Sequence, residues 1–300
     1  MLLTPDFLQK GDAIYILSTA RSISEEEIRP AVQLFESWGF NTIIGKTIGV
    51  AEHQFAGDAA LRLKDFQTAI AHPQVKAIFC ARGGYGTVQI MDKIDFSPLL
   101  KQPKWIIGFS DVTYLHALIN QCLGIKTIHA LMASTLATAT EEAKHSLHQV
   151  LSGIKTAYTF PPHPLNRQGI AEAIVTGGNL SILYSLTGTQ TVMDNHKKIL
   201  FIEDLDEYLY HIDRMLWNLK RANKLQQLSA LLCGGFTEMK DNTIPFGQAA
   251  EEIIAAHLQP FSFPIAFNFP AGHIANNCAL VLGNNYRLKV ETQQSVLEMC

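Results

Sequence analysis

The chain has 300 residues, 47% of them hydrophobic and 17% charged, with a net charge of -3. That composition supplies a full apolar core and too little charge for a disordered chain. The mild negative balance excludes a general attraction to nucleic acid or anionic membrane, and at roughly 100–200 residues per domain the length suggests two domains or one large one.

Ala13–Leu17 is an apolar run that reads as a short strand, ending in the polar loop Ser18-Thr19-Ala20-Arg21-Ser22. Ser24 with Glu27 three residues on is a capping-box signature. Ile28, Ala31, Val32, Phe35 and Trp38 then recur at helical spacing until Gly39. Pro30 conflicts with a helix starting at Ser24, because it removes an internal hydrogen bond; the helix is expected to start later or to kink there. Asn41–Ile44 reads as a strand, residues 58–71 as a helix stopped near Pro73, and Val75–Cys80 as a strand feeding the loop Arg82-Gly83-Gly84-Tyr85-Gly86. Residues 105–109 form the next strand, residues 112–122 the helix after it, and Glu141–Leu151 a further helix closed by Gly153. Strands alternating with helices predict an α/β protein whose N-terminal part is a doubly wound, mainly parallel sheet.

Residues 155–169 contain Pro161, Pro162 and Pro164 without periodicity and read as an extended linker. The expected division is an N-terminal α/β domain over 1–154, the linker over 155–169, and a C-terminal mixed α/β domain over 170–300. In the second half, strands are expected over 171–175, 198–202, 230–233, 263–269 and 279–282. Helices are expected over 208–219 and 248–257, with a further one opened by Gly177-Gly178-Asn179.

No cluster of positive charge precedes an apolar run at the N-terminus, so no secretory signal is expected. No run approaches the roughly 18 apolar residues of a membrane span. Cys80, Cys122, Cys233, Cys278 and Cys300 are odd in number and widely spaced. That spacing fits neither a disulfide framework nor a zinc ribbon, and predicts free thiols in a reducing cytoplasm.

The sharpest local signal is Ile106-Ile107-Gly108-Phe109-Ser110-Asp111-Val112-Thr113, where a strand runs into Ser110 and a helix leaves at once. This is the geometry of a nucleophile elbow, with the Asp111 N–H at a helix start where an oxyanion can be stabilised. Val112 stands where the familiar Gly-x-Ser-x-Gly pattern has its last glycine, and Ser110 or Asp111 acting only as a helix cap is the competing reading. The three glycines of the 82–86 loop let a backbone approach a ligand closely. They suit an oxyanion-hole N–H, a phosphate cradle or a simple turn, and match neither the dinucleotide nor the phosphate-loop pattern.

Glu203-Asp204-Leu205-Asp206-Glu207 places four carboxylates at a strand end and helix start. Helix electrostatics account for Asp206 and Glu207. Glu203, at the strand's carboxyl end, stands where open α/β sheets gather ligand sites. His273, in Pro270-Ala271-Gly272-His273, is one of 11 histidines, but its loop follows an apolar run. His145 and His148 stand three apart on one helix, as a metal pair or a solvated face, with no third ligand evident. Ser110, Glu203 and His273 thus occur in the order nucleophile, acid, base, each at a strand end.

These residues resemble the LD-carboxypeptidase family, serine peptidases related to muramoyltetrapeptide carboxypeptidase and to the microcin-C self-immunity peptidase. The resemblance spans nearly the whole chain. It includes the 82–86 loop, Gly108-Phe109-Ser110-Asp111, Gly177-Gly178-Asn179-Leu180-Ser181, Phe201-Ile202-Glu203-Asp204, Ile212-Asp213-Arg214-Met215-Leu216 and Gly272-His273. It implies Ser110 as nucleophile, His273 as general base and acid, and Glu203 as the group orienting His273. It also implies an oxyanion hole from the N–H groups of Gly84 and Asp111, and a site at the domain junction. Cytoplasmic homodimers with neither metal nor other cofactor are implied as well. Around His129 the family often shows His-Gly-Pro-Met, whereas this chain has His129-Ala130-Leu131-Met132, so that pocket wall differs.

The implied reaction is release of the terminal D-alanine from a murein tetrapeptide. Arg82, Gly83 and Tyr85 are the expected substrate-binding residues. Arg82 is a candidate for the substrate carboxylate, with Arg21 and Arg214 as alternatives; Arg214 can equally be a structural partner of Asp213 or of the acidic run. Two other readings stay open. One is a peptidase acting on a peptidyl-nucleotide antibiotic or another acyl amide, needing an aromatic platform for a base from Trp38, Trp105 or Trp217. The other is a non-catalytic phosphate or nucleotide binder using the 82–86 loop.

Overall fold

The computed structural model describes residues 2–300. They form two compact units: one runs to Ile154 and takes back Ala275–Val281, and the other holds Lys155–Ile274 with Leu282–Cys300.

The first unit builds up in the order β1 (Ala13–Leu17), α1 (Glu25–Ser37), β2 (Asn41–Ile44), α2 (Ala59–Ala71), β3 (Val75–Cys80), α3 (Ser97–Lys101), β4 (Trp105–Gly108), α4 (Thr113–Leu118), β5 (Thr127–His129) and α5 (Glu141–Leu151). The second holds β6 (Ala157–Phe160), β7 (Gly169–Asn179), α6 (Leu180–Ser185), β8 (Ile199–Leu205), α7 (Leu209–Arg221), β9 (Ala230–Thr237), α8 (Ala250–Leu258) and β10 (Ile265–Ala266). After these come β11 (Leu280–Leu282), β12 (Asn285–Val290) and β13 (Ser295–Met299).

The first sheet has the order β11-β5-β4-β3-β1-β2, and the pairings from β2 through β5 are parallel. β1 and β4 are buried along their whole length, as expected of parallel strands covered on both faces. The chain leaves β1 outward to β2 and returns on its other side to β3, so a topological switch point lies between β1 and β3, where ligands of open α/β sheets bind. α1 starts directly after Ser24, whose side chain and Glu27 form the expected capping box. The helix does not start late on account of Pro30, which lies inside it. The three glutamates of the first turn favour the helix N-terminus, and Ile28, Ala31 and Phe35 are buried.

The second sheet has the order β10-β9-β8-β7-β12-β13-β6. β7 through β10 pair in parallel, and β12, β13 and β6 are antiparallel additions. The architecture is therefore a doubly wound parallel sheet in one unit and a mixed α/β sheet in the other.

Several expectations are corrected. Residues 155–169 are no plain linker, since β6 at Ala157–Phe160 pairs with β13; the irregular stretch begins at Pro161, which has no N–H to continue a ladder, and ends where β7 starts at Gly169. The strand expected over 263–269 shrinks to β10, flanked by Pro264 and by Asn268 at φ 66°. The helix expected over 112–122 is composite: a 3-10 turn at Ser110–Val112, then α4, then a π-helical stretch at Ile119–Leu123 ending at left-handed Gly124. β11 joins the first sheet rather than the second. The preceding segment is tied there by Thr140 Oγ1 to Asn276 Oδ1 at 2.6 Å and Asn276 Nδ2 to Glu142 Oε2 at 2.9 Å. All five cysteines are free thiols.

Candidate active site

In the first unit, β4 ends at Gly108 and the backbone turns sharply at Ser110, whose φ is +59°. A serine held in the left-handed region stores about 1–3 kcal/mol of strain, the mark of a side chain aimed by its surroundings. Buried His116 holds the turn from below, its Nε2–H donating to the Gly108 carbonyl at 2.9 Å. Burial pulls this imidazole down to about 4, so it is neutral. Gly83 lies directly against the serine: a Cβ there would stand 3.2 Å from Ser110 Cβ and 3.4 Å from Ser110 Oγ.

Asp111 couples the elbow to the glycine loop through its buried Oδ2, which accepts from the Thr87 N–H at 2.9 Å. Burial raises this carboxyl, while the Thr87 bonds and the charges of Arg62 and Arg21 oppose the rise. Arg62, on α2, is 1% exposed. It donates to the carbonyls of Thr19 (3.0 Å) and Gly86 (2.9 Å) and to Gln89 Oε1 (2.6 Å), clamping the loops that follow β1 and β3. Asp65 does the same for the β1 loop, accepting from Tyr15 Oη at 2.8 Å and from Thr47, whose Oγ1 in turn accepts from the Ser18 N–H.

In the second unit, Glu203 lies on β8 at a register irregularity between Ile202 and Asp204. A bulge re-aims a side chain, and here it accompanies a fully buried carboxylate. Glu203 Oε2 is 2.6 Å from His273 Nδ1. Burial pulls the His273 imidazole down, but the Glu203 charge and hydrogen bond, helped by Asp204 and Glu238, outweigh it and leave His273 above its ordinary value. Gly272, at φ 106°, is glycine of necessity, because a Cβ there would sit 2.8 Å from Glu203 Oε2. Asp204 points to other partners, accepting from Asn179 Nδ2, Ser181 N–H and Leu205 N–H, each at 2.9 Å. Burial and the adjacent Glu203 charge push it up to about 7.

A model of the LD-carboxypeptidase N-terminal domain matches residues 14–130, and one of the C-terminal domain matches residues 172–288. A probable murein peptide carboxypeptidase of Bacillus subtilis (strain 168) is 33% identical over 98% of this chain and 94% of that relative. The chain belongs to the LD-carboxypeptidase family. It is therefore a carboxypeptidase of the serine peptidase class. Among solved structures, muramoyltetrapeptide carboxypeptidase from Oxalobacter formigenes superposes with a TM-score of 0.87 at 24% identity, covering 96% of this chain and 98% of that one. The microcin C7 self-immunity protein MccF, in complex with aspartyl sulfamoyl adenosine, gives a TM-score of 0.87 at 20% identity, covering 100% and 99%. At those identities the two likenesses speak for the fold.

Within this LD-carboxypeptidase the other sequence candidates take distinct places. Gly83 and Gly84 lie on the loop beside the serine, and exposed Tyr85 stands against Phe55 with ring centroids 6.3 Å apart. Arg82 turns toward the Ser22 carbonyl (3.0 Å) and Glu27 (3.7 Å). Arg214 lies over the Tyr210 ring at 5.2 Å, while Asp213 pairs with His257 rather than with Arg214. Asp206 and Glu207 pair with Lys240 and His211. Trp105 is buried with its Nε1 on the Asp6 carbonyl, Trp38 stands against His148, and Trp217 stays half exposed. Among the described residues, no three His, Cys, Asp or Glu side chains gather as a metal site, so His145 and His148 find no third ligand. Arg62, Asp65, His116 and the coupling role of the Asp111 carboxylate escape the sequence reading.

Proposed function

We propose that this enzyme is a serine carboxypeptidase that hydrolyses the L,D-amide bond of murein tetrapeptides and releases the terminal D-alanine. The observation that carries the reading is the His273–Glu203 hydrogen bond, in which Nδ1 is committed to a buried carboxylate, the orienting contact of a serine-histidine-acid triad whose proton transfer runs through Nε2. The left-handed Ser110 at the end of β4 supports its role as nucleophile. Names given to relatives, murein peptide and muramoyltetrapeptide carboxypeptidase, support the substrate class.

In this mechanism Ser110 Oγ attacks the scissile carbonyl while His273 Nε2 takes the hydroxyl proton. The oxyanion rests on the Gly84 and Asp111 N–H groups. His273 then gives the proton to the departing amine, and water repeats the cycle on the acyl-enzyme, regenerating the serine. Glu203 holds the imidazole orientation and favours the imidazolium formed in each step. The cytoplasmic location and homodimeric state belong to the same proposal, and light scattering on the purified protein tests the latter.

Incubation with a murein tetrapeptide, followed by mass, is the decisive assay: conversion to the tripeptide with free D-alanine is expected, and an untouched tetrapeptide rejects the substrate class. The complex of MccF with an aminoacyl sulfamoyl adenosine favours one second reading, cleavage of a peptidyl-nucleotide. Turnover of such an analogue faster than of the tetrapeptide selects it.

A further inference from the structure

We propose that Arg21 recognises the free carboxylate of the departing amino acid; this rests on the carboxypeptidase reading above and names the residue that makes the enzyme exo-acting. A carboxypeptidase must tell a terminal carboxylate from a continuing amide, and a guanidinium fork matches that anion.

Three arginines surround the glycine loop, and two of them are committed elsewhere. Arg62 is buried, with its nitrogens spent on Thr19, Gly86 and Gln89. Arg82 is turned to the Ser22 carbonyl and Glu27. Arg21 is exposed, and among the described residues no carboxylate pairs with it.

Its backbone is pinned on three sides. The N–H donates to the Gly83 carbonyl at 3.4 Å, the carbonyl accepts from Ser18 Oγ at 2.6 Å, and a bridge joins it to Phe55. With the backbone fixed, the side-chain stem runs over Gly84: a Cβ on Gly84 would meet Arg21 Cδ at 2.6 Å and Nε at 2.7 Å. The charge of Arg21 also acts on the Asp111 carboxyl, next in sequence to Ser110.

The placement fits the chemistry residue by residue. Gly83 faces Ser110, where the scissile carbonyl must sit. The substrate carboxylate stands about one residue span, roughly 3.5 Å, beyond the scissile amide. Arg21 lies over Gly84, whose N–H is the proposed oxyanion donor, so the loop sets the carboxylate clamp directly beside the oxyanion site. Part of the clamp is preorganised, because only the side chain has freedom to lose on binding.

The test compares kcat/KM for a tetrapeptide free acid with that for its C-terminal amide, in wild type, Arg21→Gln, Arg21→Lys and Arg82→Gln. Arg21→Gln should lose on the order of 10–100-fold on the free acid, the range of a lost charge-assisted hydrogen bond, and change little on the amide. Arg21→Lys should recover part of that preference, a rescue that a purely structural role would not show. Arg82→Gln, acting through loop shape, should shift both substrates by the same factor. A full preference for the free acid in Arg21→Gln overturns the proposal. Absence of turnover of either peptide by wild type removes the substrate reading instead, and the proposal with it.

Discussion

His273 Nδ1 stands 2.6 Å from Glu203 Oε2, with the Glu203 side chain wholly buried and that of His273 15% exposed. A carboxylate removed from water in this way has its charge answered chiefly by the imidazole it orients. Breaking such a pair is costly because the remaining charge is left uncompensated. The pair is thus both an orienting device and an electrostatic one.

Its first consequence is a pH profile. His273 acts as a base only when neutral, so kcat/KM should rise with pH along a limb lying above the ordinary histidine value of about 6.5. In Glu203→Gln burial is opposed only by the more weakly acting Asp204 and Glu238 charges, so the limb should move to lower pH while kcat falls roughly 10²–10⁴-fold. The same shift appears in stability. A histidine whose folded value is raised contributes stability that is complete below about 6.5 and is lost as pH rises through the folded value. Denaturant titrations across neutral pH should show this window in wild type and lack it in Glu203→Gln; identical curves would count against the pair.

Gly272 sits so close to Glu203 that a methyl group cannot enter without moving it. Gly272→Ala should therefore lose about 1–3 kcal/mol of stability, from its φ of 106° as well as from the clash. It should also lose more activity than the stability change explains, as read from thermal melting beside steady-state rates. By contrast, Gly83→Ala, with contacts of 3.2–3.4 Å to Ser110 and Met132 Cε, should lower kcat while leaving the melting temperature nearly unchanged.

Arg62 is a packing and clamping residue rather than a surface charge. Arg62→Met should destabilise the protein by about 2–4 kcal/mol, because the Thr19 and Gly86 carbonyls lose a buried donor. Arg62→Lys should recover little, since an ammonium cannot fork between two carbonyls and Gln89. Urea unfolding reads both variants, and a lysine variant as stable as wild type would contradict the clamp.

The legible parts of this protein were those with an uninterrupted chemical signal. β1, β2, β3 and α5 stand at the bounds their apolar runs and caps imply, and Ser24 caps α1 despite Pro30. Glu203 and His273, singled out by expected strand ends and by the family resemblance together, are side chains that meet. Arg62, between Leu61 and Leu63 on an amphipathic helix, reads as a solvated charge, because nothing local announces that two loops will close over it. β6, β12 and β13 are hidden by their short alternation and by partners far along the chain. The return of Ala275–Val281 to the first unit is a tertiary event without a local signature. The bulge at Glu203 is likewise invisible, since it exists only relative to β9.

The central claim is that Ser110 is the nucleophile served by His273 and Glu203. Release of D-alanine from the tetrapeptide, measured on wild type and on Ser110→Ala of equal melting temperature, tests it most directly. The variant should lose on the order of 10³-fold or more in rate. A Ser110→Ala protein that releases D-alanine at the wild-type rate would contradict the mechanism.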